Sequence, residues 1–443
     1  MVLVGKGLDV HVNEGAVYLR HSGSLPSGAV DFVPSAGLPG SDMLYSAGLA
    51  GTLHEPALPV GRLSVTTSAE VASYLNKVMQ FEQTPFNALW RKDLLHLSGG
   101  IATGEPALFR SYMDGFAAIA RGPYLGGAVA TRSKSDPSTV QFVNVSDEIN
   151  KGVELVTFYG HSSPGTIDID IGNASDPTLG YNNAGKYPVF LINGCNAGNF
   201  FRPGKAFGED WMSTASKGAR NFIAHSSFGD GQLLEHYSRL LYQVAFADSS
   251  FLMKGIGDVQ REVARRFINN EGESVATITQ AQQMVLLGDP SLLLFGARLP
   301  DWQTDDNAVF IASADENPVT ALSATFLLKI IVRNFGRTTQ DSLHVHVART
   351  LFNNAVVQYD SVYRPVDYED TIVFRLPRVS ANGFGNNQFV VTLDYPGKVK
   401  ELDETNNSGR VTWFFARNGT RNIFPAPFSI VTSDQVQLLW QSS

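Results

Sequence analysis

The chain has 443 residues, of which 43% are hydrophobic and 17% charged, and its formal net charge is −8 at pH 7. This composition excludes a mostly disordered chain, and the acidic balance excludes a general grip on nucleic-acid phosphates. No apolar run reaches the ~18 residues of a membrane span, and the length favours about two to four domains.

Cys195 is the one cysteine of the chain. Intramolecular disulfides and zinc sites built from several cysteines are therefore excluded. A lone thiol is either a small buried side chain or a reactive group, and its neighbours must decide between these two interpretations. The chain also opens on the strand-like Met1–Val4, without the basic start of a signal peptide, so a truncated N-terminus is expected.

Residues 1–296 alternate between strand-length apolar runs and helical patterns. Ser68 is the predicted N-cap of a first helix, and Leu233–Phe246 and Val259–Phe267 are predicted as two more. The predicted strands are Met1–Val4, Leu94–Leu97, Leu155–Tyr159, Tyr187–Ile192 and Asn221–Ala224. Strands that are apolar throughout and separated by helices predict an α/β domain with a parallel sheet covered on both faces.

The pattern changes near residue 297. Residues 297–306 are polar and predict a linker, and residues 307–416 show the alternation of half-buried strands. The predicted strands here are Phe326–Val332, Leu343–Val347, Thr371–Leu376 and Gln388–Leu393. Their number and spacing predict an all-β sandwich of the immunoglobulin-like type. Residues 417–443 are predicted to start a further, truncated domain.

Two apolar strands end in glycine followed by a residue of catalytic type, Gly160-His161 and Gly194-Cys195. The 34 residues between His161 and Cys195 leave room for one crossover, so the strands can be parallel neighbours. Both side chains would then lie at carboxyl ends of strands, where open α/β sheets bind ligands. The alternative is a buried cysteine and a strand-end histidine that do not meet.

The pair suits nucleophilic catalysis on an acyl group. An imidazole beside a thiol produces the thiolate nucleophile and later protonates the leaving amine. The backbone N–H groups of Ser162 and Cys195 are candidate donors to the developing oxyanion. The run Gly160–Pro164 nearly matches a serine nucleophile elbow but has proline in place of the last glycine, which disfavours a serine hydrolase.

These motifs resemble the caspase-like cysteine peptidases and, in more detail, the gingipain family of bacterial surface and secreted peptidases. The matching segments are Val2–Gly5, Ser41–Tyr45, Val60–Leu63, Tyr159–His161, Gly194–Phe200, Glu209 and Leu287–Leu292. The resemblance covers about two thirds of the chain. It implies a caspase/gingipain-like parallel-sheet domain with Cys195 as nucleophile and His161 as general base and then general acid, with no required cofactor.

The chain departs from the family pattern at three places. Ser162 stands where the family has glycine after the histidine, and Lys6 stands where it has an early aspartate. Gingipains also shape their specificity pocket with acidic residues. Glu105 and Asp114 lie in the corresponding stretch and are substrate-pocket candidates, as is His225 at another strand end, but a preference for basic residues is not supported.

The second part resembles a CARDB-type adhesion module, on the segments Val332–Gly336 and Glu401–Asn407. A gingipain-like domain followed by such a module is similar to PorU-type sortases of type IX secretion, which belong to the same peptidase family. This resemblance implies a transpeptidase that processes secretion cargo at a bacterial surface, with a protein substrate and secretion-machinery partners. The alternatives are a secreted gingipain-like endopeptidase and an inactive adhesion scaffold.

Two acidic segments are candidates for a structural calcium ion, namely Asp168 and Asp170 with Asp176, and Glu401–Glu404. For each there is a simpler interpretation, an exposed strand face for the first and a solvated turn for the second.

Overall fold

A computed structural model describes residues 1–9, 11–13, 16–17, 29–85, 88–135, 139–295, 297–416, 420–426, 429–432 and 434–442. The chain divides into two compact units, Met1–Arg298 and Leu299–Ser443. The strands of the first unit are β1 Val2–Val4, β2 His11–Asn13, β3 Ala16–Val17, β4 Gly61–Leu63, β5 Asp93–Ser98, β6 Ala128–Ser133, β7 Gln141–Phe142, β8 Leu155–Tyr159, β9 Ile169–Asp170, β10 Val189–Asn193, β11 Asn221–His225 and β12 Met284–Gly288. Its helices are α1 Ser68–Gln83, α2 Glu105–Ala120, α3 Ser146–Lys151, α4 Phe207–Ser213, α5 Gly231–Ala247, α6 Ile256–Glu271 and α7 Val275–Gln282.

An eight-stranded sheet in the order β1-β4-β12-β11-β10-β8-β5-β6 forms the centre of the first unit. Its neighbouring strands pair in parallel except for β11 and β12, which are antiparallel. The prediction of a parallel sheet is therefore confirmed for most of the sheet and wrong at this pair. The chain between β11 and β12 forms α5, α6 and α7 and re-enters the sheet in the opposite direction.

The central strands are buried on both faces, as their unbroken apolar runs predicted. Alternate residues of a strand point to opposite faces, so Leu155 and Val189 join the core beneath α2, α5 and α6, whereas Val156 and Phe190 join the core beneath α1 and α4. The result is a sheet between two helical layers, which holds the carboxyl ends of β8 and β10 in fixed register.

Helix α1 begins one residue earlier than predicted. Thr67, not Ser68, is the N-cap, and it forms a capping box in which the Thr67 hydroxyl accepts from the Glu70 N–H while the Glu70 carboxylate accepts from the Thr67 N–H. The helices at Leu233–Phe246 and Val259–Phe267 are both present and extend to Gly231–Ala247 and Ile256–Glu271. Caps were not visible in the apolar spacing, which explains the shorter prediction.

The second unit is an antiparallel β-sandwich, as predicted. Its strands are β13 Trp302–Gln303, β14 Val309–Ser313, β15 Thr325–Asn334, β16 Leu343–Thr350, β17 Val356–Tyr363, β18 Glu369–Pro377, β19 Gly385–Leu393, β20 Ser408–Phe415, β21 Thr420–Phe424 and β22 Leu439–Ser442. In one sheet β15 pairs with β13, β14 and β18, and the other has the order β17-β16-β19-β20. Strand β15 alternates buried and half-buried residues along its whole length, which is the pattern that predicted it.

The predicted linker at residues 297–306 is part of the sandwich from Leu299 onward. Trp302 is fully buried, its indole N–H donates to the Val366 carbonyl at 3.0 Å, and β13 pairs with the end of β15. The polar residues around Trp302 concealed this strand. Strands β21 and β22 form a hairpin in the same unit, and residues 417–419 lie outside the described residues. That residues 417–443 start a further domain stays a prediction.

Candidate active site

The structure brings the two predicted catalytic residues to the same edge of the sheet. Strands β8 and β10 are parallel neighbours, with Tyr159 opposite Asn193, and the Gly160 N–H donates to the Asn193 carbonyl at 3.0 Å. His161 lies two residues after Tyr159, and Cys195 lies two residues after Asn193. The two strand ends therefore lie side by side, and contact between the His161 imidazole and the Cys195 thiol stays a prediction.

A second loop holds the segment that carries the thiol. Asn196 has a left-handed φ of 60°, and its N–H donates to the Ser227 carbonyl at 2.8 Å. The Cys195 side chain is partly exposed, and its Sγ donates to the Gly229 carbonyl at 3.8 Å. The loop that follows β11 thus packs beside the nucleophile.

The imidazole of His161 contacts a carboxylate. The His161 Nε2 lies 3.0 and 3.1 Å from the two carboxylate oxygens of Glu105, which is the first residue of α2. The backbone N–H groups of Ile101 and Ala102 donate to the same carboxylate at 2.8 and 2.9 Å. The loop before α2 therefore fixes the Glu105 carboxylate, which in turn fixes Nε2 of His161 and leaves Nδ1 for another partner.

The surroundings of Glu105 favour its ionised form. Partial desolvation acts to raise its pKa, but hydrogen bonds from the Ala102 and Ile101 backbone and from His161 outweigh it and hold the pKa below its ordinary value. Glu105 was predicted as a substrate-pocket residue. In the structure its carboxylate is taken up by His161, so it is not free to bind a basic side chain.

Ser162 is tied to the cysteine loop. Its hydroxyl donates to the Cys195 carbonyl at 2.8 Å, and a Cβ built on Gly194 would lie 2.2 Å from the Ser162 Oγ. Gly194 must therefore be glycine because the Ser162 side chain fills the space beside it. Within the described residues, the backbone N–H groups of Ser162 and Cys195 donate to no protein acceptor, so both are available to an oxyanion.

The two other pocket candidates, Asp114 and His225, contact other groups. Asp114 lies nine residues beyond Glu105 on α2, roughly 13 Å along the helix, where it is exposed and pairs with Arg110 at 2.9 Å. His225 is completely buried, and burial lowers its pKa to about 4 although a hydrogen bond to the Ser227 backbone acts in the opposite direction. The His225 carbonyl accepts from the Gly198 N–H at 2.9 Å, so His225 supports the cysteine loop from beneath.

One exposed aromatic residue beside the site was missed. Phe228 is 81% exposed and immediately precedes Gly229, the residue whose carbonyl accepts from the thiol. The loop whose Gly229 carbonyl contacts the thiol thus presents a large apolar side chain to solvent. Phe228 belongs to the polar turn that follows β11. A single phenylalanine in a loop forms no periodic pattern, so the sequence does not distinguish it from other loop residues.

Neither calcium candidate forms a metal site as it stands. In the part of the chain that the structure describes, no three His, Cys, Asp or Glu side chains lie together where they could hold a metal ion. Asp168 and Glu401 are buried, which corrects their interpretation as an exposed strand face and a solvated turn. Asp170 and Asp176 each accept a backbone N–H two residues further on. Structural calcium therefore stays a prediction.

Among the described residues, no helix is long and apolar enough to cross a membrane.

Solved structures match all or part of the chain, and the fold of the first of them, gingipain R, agrees with the fold described above. Gingipain R, an Arg-specific cysteine proteinase, matches with 13% identity and a TM-score of 0.52, over 94% of this chain and 83% of its own. The CARDB domain of a Pyrococcus furiosus protein matches 27% of this chain and 91% of its own, with 17% identity and a TM-score of 0.21. Latent PorU from Porphyromonas gingivalis matches 46% of this chain and 20% of its own, with 12% identity and a TM-score of 0.18.

No curated protein matches the chain. The family model of peptidase family C25 matches residues 1–295. This family contains the gingipain cysteine peptidases. The match covers nearly all of the first unit, which ends at Arg298. The matched range includes His161 and Cys195 at the ends of β8 and β10. The chain therefore belongs to peptidase family C25.

Proposed function

We propose that the chain is a cysteine endopeptidase in which Cys195 is the nucleophile, His161 the general base and acid, and Glu105 the residue that orients His161. The observation that carries this proposal is the contact of Glu105 with His161 Nε2 at 3.0 Å, at the strand end next to Cys195. A carboxylate on one ring nitrogen stabilises the imidazolium that forms when the other nitrogen takes the thiol proton.

The reaction proceeds in two acyl-transfer steps. His161 takes the proton from Cys195, and the thiolate attacks the peptide carbonyl carbon while the backbone N–H groups of Ser162 and Cys195 receive the oxyanion. The imidazolium then protonates the departing amine, which leaves a thioester on Cys195. Water or another amine, deprotonated by His161, attacks the thioester and releases the acyl group and the thiol.

Two carboxylates near the site have side-chain partners and so do not favour Arg or Lys before the cut bond, since Glu105 binds His161 and Glu235 pairs with Arg239. Asp230 caps α5 through the Leu233 N–H and keeps its negative charge. Exposed Phe228 beside the thiol favours an apolar side chain instead. We therefore propose a substrate with an apolar residue at this position.

The finer assignment is a PorU-like transpeptidase of type IX secretion that acts at the bacterial surface with secretion-machinery partners. It is supported by the resemblance in domain order, a C25 domain followed by a CARDB-like sandwich. A secreted endopeptidase uses the same thioester and differs only in the attacking group. An inactive surface adhesion scaffold is the remaining alternative, and the Ser162 hydroxyl, which ties the histidine loop to the cysteine loop, is the feature that favours it.

Product analysis separates these three functions. The full chain is incubated with peptides that vary the residue before the cut bond, and with a carboxy-terminal sorting-signal peptide plus a primary amine. We expect cleavage after apolar residues and, for a transpeptidase, an amide-linked product in the mass spectrum. Hydrolysis without an amide product identifies the endopeptidase. If no peptide is cleaved and Cys195 is no more reactive than a free thiol, the scaffold is correct.

A further inference from the structure

The buried carboxylate of Asp168 lies between the two loops that carry Glu105 and His161. Its Oδ2 accepts from the Gly100 N–H at 2.7 Å, and Gly100 belongs to the loop that joins β5 to α2 and so leads to Glu105. The Asp168 N–H donates to the His161 carbonyl at 2.9 Å. One residue thus holds the loop before Glu105 and the backbone of His161.

Two glycines lie against this carboxylate, where a side chain would not fit. A Cβ built on Gly99 would lie 1.9 Å from Asp168 Oδ1, and one built on Gly160 would lie 2.6 Å from the same atom. Gly99 follows β5, and Gly160 directly precedes His161. Because neither glycine has a side chain, the ends of β5 and β8 can close around the carboxyl group.

The carboxylate contributes nothing to the reaction by contact, since Asp168 is only 3% exposed. Its Oδ1 is buried and has no hydrogen-bond partner among the described residues. Desolvation raises the pKa of Asp168, whereas the Gly100 and His161 backbone and the charges of Lys134 and His161 act to lower it. A buried carboxylate with an unpartnered oxygen is unfavourable for stability alone, which points to a role in the site.

We propose that Asp168 is a positioning residue, whose hydrogen bond to the Gly100 N–H fixes Glu105 relative to His161. The role rests on the proposed function, because it has a consequence only if His161 activates Cys195. Asp168 acts through backbone, so an uncharged acceptor of the same shape should replace it. Its loss should misplace the Glu105 carboxylate and lower the fraction of thiolate at mildly acidic pH.

The test is the rate of Cys195 alkylation by iodoacetamide between pH 5 and 9, which needs no peptide substrate. In the full chain we expect Asp168→Ala to slow alkylation at pH 6 at least fivefold, and Asp168→Asn to stay within about threefold of the wild type, since it keeps a carbonyl oxygen for Gly100. Asp170→Asn, two residues further along the chain and within β9, is the control and should match the wild type. Thermal melts show which variants are folded.

Asp168→Leu fills the same space without a hydrogen-bond acceptor. If the alanine variant does not fold, the alkylation rate of the leucine variant tests the positioning role. A folded variant without an acceptor that keeps the wild-type rate and pH profile would overturn the positioning role. An Asn variant as slow as the Ala variant would overturn it too, because the hydrogen bond would then not be what matters. His161→Ala is measured in parallel. If it equals the wild type, the proposed function itself fails.

Discussion

At the scale of single residues, the contact between Glu105 and His161 makes a prediction about thiol activation. Glu105→Gln keeps the shape and the hydrogen bonds but removes the charge that stabilises the imidazolium. Since both side chains are partly exposed, we expect a loss of about fivefold in alkylation rate at pH 6, which corresponds to ~1 kcal/mol for a partly exposed pair.

Asp114→Asn is the matched control, because Asp114 lies on the same helix but faces solvent. It should alkylate at the wild-type rate. Equal rates for the wild type and Glu105→Gln would mean that the carboxylate only holds the loop before α2 through Ile101 and Ala102.

The fit of Ser162 against Gly194 makes a second prediction. Gly194→Ala places a methyl group 2.2 Å from the Ser162 Oγ and 3.0 Å from the Gly160 carbonyl, so we expect a lower melting temperature and a loss of most alkylation at pH 6. Because the closest atom is the end of a side chain, Ser162→Gly should restore part of both in the double variant. Additive effects of the two changes would contradict this close fit.

Some site residues could be predicted from the sequence and others could not. The difference lies in whether their position depends on a local sequence pattern or on contacts between segments distant in sequence. His161 and Cys195 could be predicted because an apolar strand followed by glycine marks a strand end, and parallel strands place their ends together. Glu105 was assigned to a pocket because its contact depends on where α2 begins relative to β8. Asp168 and Asp170 alternate in the sequence, a pattern typical of a solvated strand. Asp168 is buried because the backbone at Gly99 and Gly160 packs against its carboxylate.

At the scale of elements, the capping box of α1 is local and testable. Thr67→Ala removes the hydroxyl that accepts from the Glu70 N–H, and a lost N-cap costs about 1 kcal/mol of unfolding free energy. Helix α1 packs on the sheet through Tyr74, which is buried, so the loss should appear in the melt of the first unit. Ser68→Ala, one residue later, should change the melt little, since Ser68 is not the cap.

The sandwich carries a buried carboxylate that makes its stability depend on pH. Burial is the main cause that raises the pKa of Glu401 from 4.5 to about 7; Asp394 and Glu404 raise it further, and hydrogen bonds from the Trp302 backbone and Asn407 oppose the shift. Between these two values the folded chain binds more protons than the unfolded chain. The unfolding free energy of the sandwich should therefore fall as pH rises from 4.5 to 7.

Melts of the sandwich between pH 4.5 and 8 check this prediction. Glu401→Gln should flatten the dependence, whereas Glu369→Gln, at an exposed ion pair with Arg333, should leave it unchanged. A melting temperature that rises through this range would contradict the assignment of the shift to Glu401.

At the scale of the whole molecule, the boundary between the two units lies before Trp302. Expressed alone, residues 299–416 should melt cooperatively and at a higher temperature than residues 307–416, because the shorter fragment loses β13 and the buried indole of Trp302. Differential scanning calorimetry of the two fragments checks this. Equal melting temperatures would show that β13 adds no stability to the sandwich.

The fold class followed from the sequence at this scale because the change from helical to alternating spacing is a property of long segments. The antiparallel strand β12 and the start of the sandwich did not, because both depend on short segments whose partners are distant in sequence. Strand β13 has only two residues, and its partners in β15 lie about thirty residues further along the chain.

The central claim is that His161 activates Cys195 for attack on an acyl group. The most direct measurement is the intact mass of the full chain after exposure at pH 6 to a peptidyl electrophile with an apolar residue next to the reactive group. One adduct should form on Cys195 in the wild type, and His161→Ala should form it at least tenfold more slowly. Equal labelling of both proteins, or no labelling of the wild type, would contradict the account.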